Sequence, residues 1–147
     1  MQDPHYDEGQ WPVLLVTMPV NELRDRELIR HIDRLSAYLK RGVPHAHVID
    51  VRQVASLSAD SRRLIAERLD QDEELYPGLL RGVGVVLSTP LHRGIFKALS
   101  WLSRTPRPFE AFPEIHEAMA WARRLVAAAP AHSMTMPIAA DVTKRVG

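Results

Sequence analysis

The sequence predicts an α/β domain built on a mostly parallel sheet of four to five strands with about four helices. Three observations carry this. Short apolar, β-branched runs alternate along the chain with longer amphipathic stretches. The first run, Val13-Leu14-Leu15-Val16, is apolar without alternation, as in a strand covered on both faces. The connections are short, and the resulting β-α-β-α-β-α-β-α order favours parallel strands joined by right-handed crossovers.

Taken in order, residues 1–10 are polar, contain Pro4 and Gly9, and read as a loosely held leader. Trp11–Met18 is the first strand, with Pro12 at its start or edge. Asn21 is the expected N-cap of a helix ending at Gly42, and Leu28, Ile32, Leu35 and Leu39 form its apolar stripe. Lys40 and Arg41 complement the dipole in its last turn, and Gly42 suits the left-handed residue after it. The polar face of this helix mixes both signs of charge, as a solvated face does. His47–Val51 is the second strand, and Ser58 is the expected cap of the next helix, with Asp60 in its first turn. Leu64, Ile65 and Leu69 point inward, and the acidic end (Asp70, Asp72, Glu73, Glu74) opposes the dipole before Pro77-Gly78 stops the helix.

Arg81–Leu87 is the third strand. Ser88 or Thr89 caps a helix that starts at Pro90 and carries Leu91, Ile95, Ala98, Leu99 and Leu102 inward. A proline-rich turn, 104–108, leads to a short edge strand, Phe109–Phe112, and a last helix from Glu114 to about Ala128. Residues 129–147 show no sustained period and read as a flexible tail, leaving 11–128 as the one folded domain.

Composition narrows the function classes. The 147 residues carry 19 Lys+Arg against 18 Asp+Glu, a net charge of +1, which gives no general attraction to nucleic acid. Without cysteine there is no disulfide, thiolate nucleophile or thiolate zinc site. No apolar run reaches the roughly 18 residues of a membrane span, and the first ten residues lack the pattern of a secretory signal. A cytoplasmic protein without cofactor or metal is therefore expected.

Two stretches hold the candidate site residues, because ligands meet open α/β sheets at the carboxyl ends of strands. The first is the loop and helix start after the second strand: Arg52, Ser56, Ser58, Asp60, Ser61, Arg62 and Arg63. The second is the helix start after the third strand, where Thr89, His92, Arg93, Lys97 and Trp101 could receive an anion or ligand. Gly82-Val83-Gly84 lies within a strand and lacks the spacing of a nucleotide loop, so its glycines are assigned to close packing or a bulge. His45 and His47 share one strand face but have no third ligand nearby, and read as strand-end histidines. A hydrolase would need a histidine within reach of Ser56, Ser58 or Ser61, and there is no G-x-S-x-G elbow. Trp101 and Trp121 lie off their helices' main stripes, which suits either packing under a loop or a contact surface, including one between copies of the chain.

With these features the chain resembles the STAS domain, named for sulfate transporters and anti-sigma-factor antagonists, and more closely its divergent bacterial STAS-like relatives. The similar residues are Val48-Ile49-Asp50, the loop to Ser58, Arg62-Arg63, Arg93-Gly94-Ile95, Ala98-Leu99-x-Trp101-Leu102, Pro106-x-Pro108 and Glu117-Ala118-x-x-Trp121, across roughly 11–126. The resemblance implies a non-enzymatic regulatory module that binds a protein partner, such as a kinase or an anti-sigma-like protein. In anti-sigma-factor antagonists an Asp-Ser or Asp-Thr pair starts the helix after this strand, and a partner kinase phosphorylates its hydroxyl. Here the pair falls near Ser58-Ala59, with Ala59 at the hydroxyl position. Asp60-Ser61 has the right residue types two residues later, so Ser58 and Ser61 are the candidate phosphosites. Related STAS-like and CRAL-TRIO-type domains bind apolar ligands, which implies as an alternative a small anionic or amphiphilic, lipid-like ligand.

Overall fold

The computed structural model describes residues 3–54, 57–90 and 107–134, with side chains through residue 128. Five strands form one sheet in chain order: β1 (His5–Asp7), β2 (Val13–Thr17), β3 (His45–Asp50), β4 (Leu80–Val86) and β5 (Phe109–Phe112). β2 through β5 pair in parallel, as the alternation with helices predicts. β1 pairs antiparallel with β2.

The described helices are α1 (Asp25–Ala37), α2 (Ala59–Leu75) and α3 (Ile115–Met134), with a 3-10 turn over Tyr38–Arg41. The α/β class and mostly parallel sheet hold. The helix predicted from Pro90 through Leu102, and the tail beyond residue 134, lie outside the described residues.

One sheet face takes α3. Val13, Ala46, Val48 and Val86 pack there against Ala118, Met119 and Ala122. Gly82 and Gly84 serve this packing, as expected. A β-carbon on Gly82 would stand 2.5 Å from Leu125 Cδ1 and 3.1 Å from the Trp121 ring, and one on Gly84 would stand 3.1 Å from the same ring. Trp121 is thus a packing residue, laid over the two glycines and against Phe112.

The other face takes α1 and α2. Leu14 and Val16 are buried with Tyr38, and Leu28 and Ile32 of α1 meet Leu64 and Ile65 of α2. α1 is strongly amphipathic and buries Leu28, His31 and Ile32. α2 buries only Ser61 and Ala66, and its inward residues Leu64, Ile65 and Leu69 are half-buried. Leu69 packs against the cluster that holds Val83 and Val85 of the sheet.

Three local expectations change, and the acidic end of α2 gains an anchor. Residues 1–10, read as a loose leader, contribute β1, and Tyr6 is tied down: its hydroxyl lies 2.5 Å from His31 Nδ1 and Arg34 stacks 4.0 Å over its ring. Glu8 accepts from Tyr38 and Arg41, at 2.9 and 2.7 Å. Asn21 does not cap α1. The extended cap is Arg24, because Glu22 is drawn to α2 and Leu23 is buried in the core. The acidic end of α2 is anchored by partners elsewhere: Glu73 accepts from the Gly78 amide at 2.7 Å and from Arg107 at 3.1 Å. Finally, α3 runs through Pro130 to Met134 instead of stopping near Ala128, carried by an alanine-rich stretch of high helix propensity. Gly42 behaves as expected, ending the 3-10 turn at φ 68°.

Candidate functional site

Ser58 caps α2 as its sequence position predicts, accepting from the Ser61 amide at 3.1 Å. Its hydroxyl donates to Ser61 Oγ at 3.0 Å, and Ser61 Oγ donates to Glu22 Oε2 at 3.0 Å. Glu22 Oε1 also accepts from the Ser58 amide at 3.1 Å. A buried carboxylate from the β2–α1 connection therefore organises the start of α2. The hydroxyls of Ser58 and Ser61 are engaged by each other and by Glu22, with no ring nitrogen in that network.

The three arginines of the first stretch differ. Arg52 folds back on Asp50, donating from Nε at 3.0 Å, Nη2 at 2.9 Å and its backbone amide at 3.1 Å. That pairing holds its guanidinium still more firmly protonated than usual. It also lines a shallow polar cleft with Gln10, Glu114, His116 and Arg123. Arg62 donates to the Leu57 carbonyl at 2.5 Å. Arg63 and Asp60 are exposed and pair with each other at 3.4 Å. Thr89 is exposed at the carboxyl end of β4, while Ser56, His92, Arg93, Lys97 and Trp101 lie outside the described residues.

A second, apolar concavity is one the sequence reading did not locate. A cavity of about 130 Å³ lies between α1, α2 and the β3–β5 face. That is room for several waters or a ring, since a single water occupies roughly 10–15 Å³ on this measure. Its walls are overwhelmingly apolar: Leu28, Ile32 and Leu35 from α1, Ile65 and Leu69 from α2, and Val83, Val85 and Phe109 from the sheet. Val51, Val54 and Leu57 of the loop after β3 close one end. The loop singled out from sequence is therefore a wall of this cavity.

Among the described residues, polar groups reach the cavity at few places. Between the helices, Arg68 Nη1 donates to Asp33 Oδ1 at 2.9 Å and to Ser36 Oγ at 3.2 Å, and Ser36 Oγ donates to Asp72 Oδ2 at 2.7 Å. Burial pushes the Asp72 carboxyl above its usual range. From the interior come His31 and His47. Burial holds the His31 imidazole down to about 4, and burial holds His47 well below its ordinary value, so both rings are neutral near pH 7. His47 is 4 % exposed, and its Nε2 has no hydrogen-bond partner. An unsatisfied buried polar atom costs about 1–3 kcal/mol.

His45, two residues earlier on the same strand face as expected, is engaged differently. Its Nδ1 donates to the Val43 carbonyl at 2.8 Å, and its ring stacks on Trp11 at 5.1 Å. No cluster of three or more metal-ligating side chains occurs among the described residues. None of their helices is long and apolar enough to cross a membrane.

The fold is thus a mostly parallel sheet with α1 and α2 on one face, α3 on the other and a capped loop after the central strand. Among solved structures the chain is similar to an uncharacterised DUF3478-family protein with a SpoIIAA-like fold from Shewanella loihica PV-4. The TM-score is 0.58 at 17% identity, over 81% of this chain and 91% of that one. The chain thus has a SpoIIAA-like, STAS-like fold. No protein-family model matches the chain, and no curated protein matches it.

Proposed function

We propose that this protein is a non-enzymatic STAS-like regulatory module whose ligand site is the apolar cavity between α1, α2 and the sheet. The cavity itself carries the reading: a core of this size ordinarily closes to crystal-like density, with few voids larger than a water. Here a gap is left between the helices and the sheet, walled by side chains that suit a small apolar body. Apolar sites of this order accept a single aromatic ring. The loop after β3 forms one wall, so occupancy would bear directly on Ser58 and the exposed start of α2. Titration calorimetry with toluene or indole tests the reading. Saturable binding is expected, lost in the cavity-filling variant Val83→Phe. Leu69→Phe, on the half-buried helix wall, makes the same test if Val83→Phe does not fold. A chain that binds neither probe contradicts the reading.

A second reading, a protein partner recognised through the start of α2, is favoured by the exposed Asp60 and Arg63. Arg62 and Arg52 already serve their own loop, so charge reversal at Arg63 should weaken such a partner more than Arg62→Gln. Equal retention of a partner by both variants removes Arg63 from the interface.

A further inference from the structure

We propose that His47 is the polar anchor of the cavity, and that the ligand is a small neutral molecule with an apolar body and a single hydroxyl or carbonyl group. This rests on reading the cavity as a ligand site and adds which chemistry it selects.

Two independent observations converge. First, the charged side chains that line the cavity among the described residues are already engaged. Arg68 is held by Asp33 and Ser36, Asp72 by Ser36, and Glu22 by Ser58 and Ser61. Among the described lining residues an anionic ligand would therefore find no spare cation to meet it in a low-dielectric space, at a desolvation cost that its apolar contacts do not offset. Second, His47 lines the cavity, is almost fully buried, and has at Nε2 a nitrogen with no partner in the protein. A neutral imidazole can present either a donor or an acceptor there, depending on tautomer. It thus suits a hydroxyl or a carbonyl equally. His31 also lines the cavity, but its Nδ1 is occupied by Tyr6, which leaves His47 as the better-placed anchor.

The test compares phenol, toluene and benzoate by calorimetry on the wild type and on His47→Phe, which keeps a ring and removes both nitrogens. Phenol is uncharged at neutral pH. The ratio of phenol to toluene affinity should fall about ten-fold in the variant, the size of one net hydrogen bond. Benzoate should bind the wild type at least ten-fold more weakly than phenol. If His47→Phe does not fold, the ring nitrogen resonances of wild-type His47 decide: phenol should move them and toluene should not. Binding of both probes with an unchanged ratio, or with unmoved ring resonances, overturns the anchor and leaves the cavity reading standing. Benzoate binding as tight as phenol overturns the neutral class. Failure of the wild type to bind any probe overturns the cavity reading, and the anchor with it.

Discussion

Glu22 and Ser61, 39 residues apart in sequence, meet through a 3.0 Å hydrogen bond, and the same carboxylate holds the Ser58 amide at 3.1 Å. The start of α2 is thereby clamped to the segment entering α1. The two helices that roof the cavity share one polar fastening at this end and a second, through Asp33, Arg68, Ser36 and Asp72, further along.

Glu22→Gln keeps the shape and weakens both bonds, so it should cost about 1–3 kcal/mol. The urea midpoint checks this. A loss under a few tenths of a kcal/mol would mean that the clamp contributes little.

Ser61 bears on the phosphosite expectation. It is 6% exposed and already donates to a carboxylate. A second negative charge at that place is repelled by Glu22. Ser61→Asp should therefore destabilise more than Ser61→Ala, whereas the same pair at exposed Asp60 (Asp60→Ala against wild type) should differ little. Equal midpoints for Ser61→Asp and Ser61→Ala would contradict this.

On the opposite face, Gly84→Ala places a β-carbon against the Trp121 ring and should cost about 1–3 kcal/mol of overpacking, with a change in tryptophan emission. Gly82→Ala is similar, and Leu125→Ala should recover part of its loss by removing the nearest atom. Independent, additive effects of Gly82→Ala and Leu125→Ala would show that they do not compete for one space.

How much of this was legible in the sequence varies by residue. Ser58 as a cap, Gly42 as a helix terminator and Gly82-x-Gly84 as packing glycines follow from local backbone and steric rules. So does the α1 stripe. Asn21 misled because capping is decided by tertiary competition: Glu22 is taken by α2, and the chain stays extended to Arg24. β1 is three residues long with polar ends, and its fixing partner, His31, comes 25 residues after Tyr6, so no local pattern marks it. The cavity has no residue signature either. Leu28, Ile32, Ile65, Leu69 and Val83 would read as core whether or not a gap is left among them, and only the assembled fold distinguishes the two.

Buried histidines give the fold a pH dependence. The His31 imidazole is held to about 4 by burial, and His45 and His47 are also lowered by burial. In the unfolded chain each titrates near 6.5. Below that pH the unfolded state binds more protons, so their stabilisation is complete above about pH 6.5 and is lost as pH falls through the folded values. A ring that is neutral in the folded state and protonated in the unfolded one contributes a slope of at most about 1.4 kcal/mol per pH unit. Asp72, raised by burial, acts in the opposite sense and reduces the net slope at the acidic end. The urea midpoint should fall between pH 7 and pH 5, and His47→Phe should flatten that fall. A midpoint that rises on acidification would contradict the neutral burial of these rings.

The central claim is that the gap beneath α2 receives a ligand, and amide-resolved NMR titration with toluene tests it most directly. The account predicts saturable shifts at Ile32, His47, Ile65, Val83 and Val85, on three sides of the cavity, and their loss in Val83→Phe. Shifts confined to the Arg52–Glu114 cleft or the outer surface, or no saturable shift at all, would contradict it.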